Sequence, residues 1–458
     1  MKSLTDPSQA LATGLAKIRT EFHVPDGFPP NVMALAQTAA RREPSQHADR
    51  TAMPFVTLDP ATSTDLDQAF SIEASGSDLL LHYAIADVAW FVEDGDAVDL
   101  EAWARGETLY LPDGKAGLYP QVLAESAASL LPSGPRPAVV FTVRIAGDGA
   151  VRLDGAERAI IQSRAKLAYD SVRASDVPAG FAEIARRMAA NEERRGASRV
   201  DPPEQEVEQL ADGTFQLSFR PPLQSEQDNA ALSLAANMAI ADAMLAHRTG
   251  LFRVMAPPDP SKVQRLRSAA QALGLSWPAS TSLRDYQRTL DPGDRQQAAL
   301  MLEIRRAGSG ASYQPYEEGV VPWHEAMAAT YAHATAPLRR LADRNVVRCV
   351  LAIANGQPVP QAVTDAFARL PTVMGRADAR ASQINHAALA EAVMLKGRQG
   401  EMFKAVVTDV ADQRMRVQLS NMPVVANVKA SGFRQGDSLT LRLVSADPDQ
   451  RSIVFQPA

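Results

Sequence analysis

The 458-residue sequence predicts an α+β protein: a mixed sheet with helices in a large middle domain, a small helical module ahead of it, and a five-stranded barrel at the C-terminus. Three patterns predict this. Phe55–Ile72 reads strand, polar loop, strand, and Leu79–Val92 follows as an almost wholly apolar run, the pattern of a strand buried on both faces. Residues 228–248 and 261–274 carry the periodicity of amphipathic helices, the first rich in alanine. From Glu401 the pattern becomes short strands: Phe403–Val410, Arg414–Leu419, Val424–Val428, Ser438–Val444 and Ser452–Phe455. Domains are accordingly expected at 1–45, 46–397 and 398–458.

Composition bounds the function classes. A content of 46% hydrophobic and 22% charged residues is that of an ordinary soluble globular protein. The lone cysteine, Cys349, leaves no disulfide partner, and a reducing cytoplasm is expected. Met1-Lys-Ser-Leu-Thr-Asp lacks the apolar core of a signal peptide, and no segment is expected to span a membrane. A net charge of −6 does not advertise a nucleic-acid partner, although local basic strips can still bind phosphates.

Taken in order, residues 1–22 read as a helix through Leu11, Leu15 and Ile18, which Pro25, Pro29 and Pro30 break. Val32–Arg42 reads as a second helix. The two could form a helix-turn-helix-like module or a helical cap on the next domain. In Phe55–Ile72, Asp59 closes a strand, and Asp65 and Asp67 are two apart, so on a strand they share a face. Three close carboxylates repel unless a multivalent cation neutralises them, or unless they form a solvated acidic turn. None of the seven histidines is paired at ligand spacing, which favours a hard ion, Mg²⁺ or Mn²⁺, over zinc, copper or iron–sulfur. A calcium loop fits poorly, because Thr64 stands where it needs glycine and Phe70 where it needs glutamate.

Further along, Asp87 interrupts the apolar run and reads as mainly structural. Val139–Ile145 alternates as a strand. In Ser163–Val172, Arg164 and Lys166 alternate on one face and could hold phosphates, while Tyr169 could stack on a base. Phe181–Arg195 reads as a helix ending at Gly196, with a basic run that is either a solvated face or a strip able to border a phosphate path. Residues 275–325 carry no motif. In Tyr331–Asp343, Pro337 suits the first turn of a helix continuing over Leu338–Ala354, which would set Arg339 beside an anion-favouring helix N-terminus. Residues 374–396 read as another helix.

Several of these segments resemble the ribonuclease II and R family. Asp59, Asp65 and Asp67 match the first three aspartates of its D-x₅-D-x-D-D motif, and Gln68 stands at the fourth. The run Leu79–Val92 is similar to its H-I-A-D-V strand, with Tyr83 where histidine is usual. Arg105–Pro112 resembles R-G-x-S-x-Y-L-P, Ser163–Tyr169 resembles S-x-A-x-L-x-Y, and Tyr331–Asp343 resembles Y-x-x-x-T-S-P-I-R-[RK]-Y-x-D, with Ala336 for serine and Leu341 for tyrosine. Gly436-Asp437 and Asp447–Arg451 resemble S1 RNA-binding domains, so the barrel is expected to be of OB type. The cold-shock barrels usual ahead of this family's catalytic domain have no room before the acidic motif.

The resemblance implies an RNB-type catalytic domain and a hydrolytic 3′→5′ exoribonuclease of the ribonuclease II type that acts on single-stranded RNA and releases nucleoside 5′-monophosphates. It implies metal held by Asp59, Asp65, Asp67 and Gln68, with Mg²⁺ (or Mn²⁺) as the cofactor and two ions during catalysis. It implies catalytic roles for Asp65, Asp67 and Arg339. For RNA it implies contacts through Tyr110, Tyr169, Arg164, Lys166, Val200, where the family often has a stacking phenylalanine, and Gln383, where it has a glutamate. A monomer is expected. Two alternatives stay open: an RNA-binding protein whose acidic site has decayed, as Gln68 and Gln383 hint, and another metal-dependent phosphate enzyme such as a DxD glycosyltransferase.

Overall fold

The strand formers assemble a five-stranded mixed sheet whose spatial order is Ala48–Asp49, Val151–Ile161, Arg136–Ile145, Asp78–Ala86, Gln68–Ser75. All neighbours are antiparallel except the first pair. The computed structural model describes residues 3–4, 10–111, 113–197, 204–209, 215–220, 222–308, 310–384, 386–411, 414–420, 424–434 and 436–458. Beside this sheet, Thr57–Asp59 pairs in parallel with Lys166–Ala168. Across the sheet lies the helix Gln224–Ala246, packed on Arg136–Ile145, Val151–Ile161 and the helix Phe181–Arg195. Helices Leu341–Ala354 and Gln361–Gln383 complete the layer. Gln224–Ala246 has the length and mean hydropathy of a membrane span, contrary to the expectation that no segment would, but it is the core helix of this domain, with Leu232, Ala235, Ile240 and Met244 fully enclosed.

Three elements differ from the sequence reading. The run Leu79–Val92 is not one strand: it stops at Ala86, and Val88–Phe91 forms a helical turn. The chain turns at Asp87 because this enclosed carboxylate accepts from Arg158 Nε at 2.8 Å and pairs with His47 Nε2 at 3.1 Å. The helix expected from Pro337 begins instead at Leu341. Residues 337–339 form a turn, with the Arg339 and Arg340 N–H groups donating to Ala336 O, and the turn docks on residues 106–108, with Leu341 N–H donating to Gly106 O and Thr108 N–H to Arg339 O. The helix expected over 374–396 is two helices, Gln361–Gln383 and His386–Leu395, separated at Ile384, which is buried in a second core with Leu389 and Val393.

The first forty-five residues form no core of their own among the described residues. Helix Pro30–Ala39 buries Val32, Ala36 and Ala39 in the main core. Helix Ala10–Glu21 buries Leu15 and Ile18 in the second core, against Leu109, Leu111, Ala116, Ile384 and Leu389. Both helices therefore cap the middle domain, and the arrangement is not a helix-turn-helix.

The C-terminal sheet runs Val425–Lys429, Arg414–Leu419, Met402–Ala411, Ser438–Asp447, Ser452–Pro457, and its two edge strands approach one another to give a nearly closed five-stranded barrel of S1/OB type. Leu395, at the end of its helix, plugs the barrel core. Phe403 and Phe455 meet edge to face inside, with ring centroids 5.7 Å apart, so neither offers a stacking surface to a base.

Candidate active site

The site is built on the polar stripe of an otherwise apolar helix. In Gln224–Ala246, Asn229, Ser233 and Asn237 recur every four residues and so line one face. Each fastens a different strand end or loop. Asn229 donates to Leu58 O and to the Tyr169 hydroxyl, at 3.2 and 2.9 Å. Ser233 donates to Gln68 Oε1 at 3.0 Å. Asn237 accepts from Ala334 N–H at 3.0 Å and donates to the Tyr331 and Thr335 hydroxyls. Three segments far apart in sequence thus share one platform.

The acidic loop is pinned by its middle residue. Leu66 is fully buried, its N–H donates to Ser129 Oγ at 2.9 Å, and its carbonyl accepts from Leu130 N–H. Asp65 and Asp67 flank it just before the strand that starts at Gln68; they are loop residues rather than strand residues as expected. Asp67 is almost enclosed. Its Oδ1 accepts the Leu338 N–H at 2.7 Å, and its Oδ2 lies 3.4 Å from Arg339 Nε, an ion pair without hydrogen-bond geometry. Asp65 Oδ1 takes the Lys115 ammonium at 2.9 Å. Asp59 ends its strand with a buried, unpartnered oxygen, Oδ2.

Burial dominates the electrostatics. It pushes Asp67 up to about 7, against the opposing charge of Arg339 and the Leu338 hydrogen bond. It likewise pushes Asp59 up to about 6, with Arg339 and Lys166 opposing and Asp65 adding to the rise. These are carboxylates that would gain from a cation. As they stand, no three His, Cys, Asp or Glu side chains among the described residues converge on one point at ligand spacing.

Arg339 and Tyr110 come from two segments bonded side by side. The hairpin Leu109–Leu111/Gly114–Ala116 presents Tyr110, half-exposed, with its hydroxyl within electrostatic reach of Arg339. Burial first, then Asp65, raise that hydroxyl to about 12, with Asp67 also acting on it. Tyr110 therefore stands where both aspartates and the guanidinium meet. Beside it opens a cleft of about 320 Å³ lined by Glu107, Thr108, Leu109, Tyr110, Arg339, Arg340, Ala381 and Ile384.

The sequence-predicted residues divide by position. Asp59, Asp65, Asp67, Arg339, Tyr110 and Tyr169 lie within electrostatic reach of one another. Gln68 is placed differently from the expected ligand: its amide oxygen, the atom a metal would use, accepts from the Tyr83 and Ser233 hydroxyls. Lys166 Nζ donates to Ala61 O from a half-buried position, and Arg164 Nη2 to Thr51 O from an exposed one. The basic run of Phe181–Arg195 is tied to its own surroundings, Arg186 and Arg187 to Glu183 and Arg194 to Asp148 O. Gln383 is exposed at its helix end, between the cleft-lining Ala381 and Ile384. Val200 lies outside the described residues.

Sequence reasoning missed the helix stripe, Lys115 and Glu125. Two signals existed. One was the four-residue spacing of polar groups in an alanine-rich helix. The other was the Asp113-Gly114 dipeptide, a hairpin signal just ahead of Lys115, which the strand register sets directly across from Tyr110.

Residues 47–356 match the RNB domain, and residues 401–458 match the RNase II-type exonuclease C-terminal S1 domain. Among curated relatives, ribonuclease R of Aquifex aeolicus is 25% identical over 95% of this chain and 69% of its own length. Exoribonuclease 2 of Cronobacter sakazakii is 28% identical over 91% of this chain and 66% of its own length. The chain thus spans about two thirds of the length of these relatives. Among solved structures, Mycoplasma genitalium RNase R in complex with ribose-methylated single-stranded RNA aligns at a TM-score of 0.84 with 18% identity, over 100% of this chain and 79% of that one.

Proposed function

The chain belongs to the RNB-domain family, and from that premise we propose that it is a metal-dependent, hydrolytic 3′→5′ exoribonuclease acting on single-stranded RNA and releasing nucleoside 5′-monophosphates. One observation carries the reading: Asp67 accepts a hydrogen bond from Leu338, 271 residues later in the chain, and this contact sets Arg339 against the acidic loop. Such a long-range junction of carboxylates, guanidinium and an exposed tyrosine is what cleavage of a phosphodiester requires. The relatives named above support the RNA substrate.

The residues fit a hard divalent cation, Mg²⁺ or Mn²⁺, because the donors are all carboxylate oxygens and Asp59 Oδ2 is buried without a partner. Asp59, Asp65 and Asp67 would hold it, and when bound it supplies charge for the scissile phosphate and a more acidic water. The chain's own groups do the rest. Arg339 offers a planar fork to the phosphate oxygens as charge develops. Asp67, tied on one oxygen to Leu338, keeps its other oxygen toward Arg339 and can orient a water or the terminal sugar. Tyr110 packs the terminal nucleotide, and the cleft beside it receives the end of the strand.

A second reading, an RNA-binding protein with a decayed site, is favoured by the engaged oxygen of Gln68 at the fourth acidic position. End-labelled single-stranded RNA with Mg²⁺ or EDTA separates the two. The first reading expects a ladder ending in mononucleotides that EDTA abolishes. Binding without shortening under both conditions would establish the second.

A further inference from the structure

The cross-strand register of the hairpin pairs Tyr110 with Lys115, so both side chains leave the same face, one toward Arg339 and the other toward the acidic loop. The Lys115 ammonium lies 2.9 Å from Asp65 Oδ1 and 3.1 Å from Glu125 Oε1. Glu125 in turn accepts from the Thr64 hydroxyl at 2.9 Å. One cation thereby grips both Asp65 and, through Glu125, the residue before it. Lys115 remains about one quarter exposed, so solvent and ligands can reach it.

We propose that Lys115 is the resident cation of the acidic loop: it holds Asp65 in the RNA-free protein and yields it to the divalent ion when RNA phosphate arrives. The proposal rests on the exoribonuclease reading above. A monovalent charge at hydrogen-bond distance from a ligand oxygen both occupies that oxygen and repels a divalent ion. The same region has one carboxylate fewer available, because position 68 is a neutral glutamine whose oxygen is already bonded. Both features weaken metal binding to the protein alone. A backbone phosphate entering beside Tyr110 adds negative charge and a competing acceptor for the ammonium. Metal and RNA affinities then become mutually dependent, and each must strengthen the other by the same factor.

Mn²⁺ titration followed by electron paramagnetic resonance tests this on the full chain, with and without a cleavage-resistant 2′-O-methyl oligonucleotide. Wild type is expected to bind Mn²⁺ about tenfold more tightly when the oligonucleotide is present. Lys115→Met is expected to bind Mn²⁺ without oligonucleotide about tenfold more tightly than wild type, with the dependence on oligonucleotide largely lost. Lys115→Arg should behave as wild type. Lys115→Gln serves in place of the methionine variant if that one fails to fold. Equal RNA-free affinities in wild type and the uncharged variant overturn the proposal, even if the variant melts at a lower temperature, and leave the exoribonuclease reading standing. Absence of Mn²⁺ binding in every protein, with or without oligonucleotide, overturns both.

Discussion

Gly106→Ala tests the junction that carries Arg339. Gly106 closes helix Ala97–Arg105 at φ 77°, ψ −48°, a left-handed conformation outside the αL region that asparagine tolerates. Its carbonyl accepts the Leu341 N–H at 3.0 Å, and two residues on, Thr108 N–H donates to Arg339 O at 3.0 Å. A Cβ built here would stand 2.9 Å from Ala377 Cβ and 3.5 Å from Val373 Cγ1. The backbone penalty is about 1–2 kcal/mol, and forcing a methyl into a packed helix contact adds about 1–3 kcal/mol. A loss of roughly 2–5 kcal/mol is expected in urea unfolding. Because relief of the clash moves 106–108 away from Gln361–Gln383, Arg339 should shift with it, and a displacement near 1 Å lowers turnover about 10²-fold. Gly375→Ala is the control: this glycine is exposed inside helix Gln361–Gln383, and an added Cβ meets nothing within 4 Å. It should stabilise by about 0.5–1 kcal/mol and leave activity alone. If Gly106→Ala unfolds within about 0.5 kcal/mol of wild type, the strain and the clash argued here are wrong.

Arg339→Lys keeps a charge but loses the fork; turnover on saturating RNA should fall about 10²-fold with affinity changed far less, and a loss confined to affinity would make Arg339 a clamp only. Gln68→Asp shortens the side chain that the Tyr83 and Ser233 hydroxyls grip, so unfolding should cost about 1–2 kcal/mol less, with no fall in the Mg²⁺ concentration for half-maximal activity; a clear fall would put position 68 back among the ligands. Glu107→Gln addresses pH. Burial, with Asp378 adding, raises the Glu107 carboxyl from 4.5 to about 7 in the fold. For an acid raised on folding, the unfolded chain releases its proton first, so stability falls as pH rises from about 4.5 to about 7 and is level above. The variant should lack that part of the decline in urea midpoints between pH 5 and 7.5, and an identical decline in both proteins would mean Glu107 does not titrate there.

Local pattern alone determined a good deal of this protein. Short-range strand alternation marked all five barrel strands to within a few residues, because each buries alternate side chains in one small core. The acidic loop and the Arg339 segment were legible from adjacent residues, whereas the Tyr110 segment was legible only through its resemblance to the family's R-G-x-S-x-Y-L-P. Where elements begin and end was decided elsewhere. Pro337 suited a helix start, yet the chain turns at 337–339, docked by hydrogen bonds from Leu341 to Gly106 and from Thr108 to Arg339, and the helix begins only at Leu341. Asp87 lay in an apolar run that looked continuous, until Arg158 and His47, from other parts of the chain, gave its carboxylate partners and the strand turned. Position 68 suited a metal ligand by sequence and became a bonded spacer because Tyr83 and Ser233 reach its oxygen first. Lys115 carried no motif, and only its register opposite Tyr110 and its distance to Asp65 bring it into the site. Periodicity records which side of an element is apolar; it does not record which polar group from a distant segment will satisfy a buried donor or carboxylate. That pairing is a property of the packed chain, because an unpaired buried polar atom costs more than the local preference it overrides.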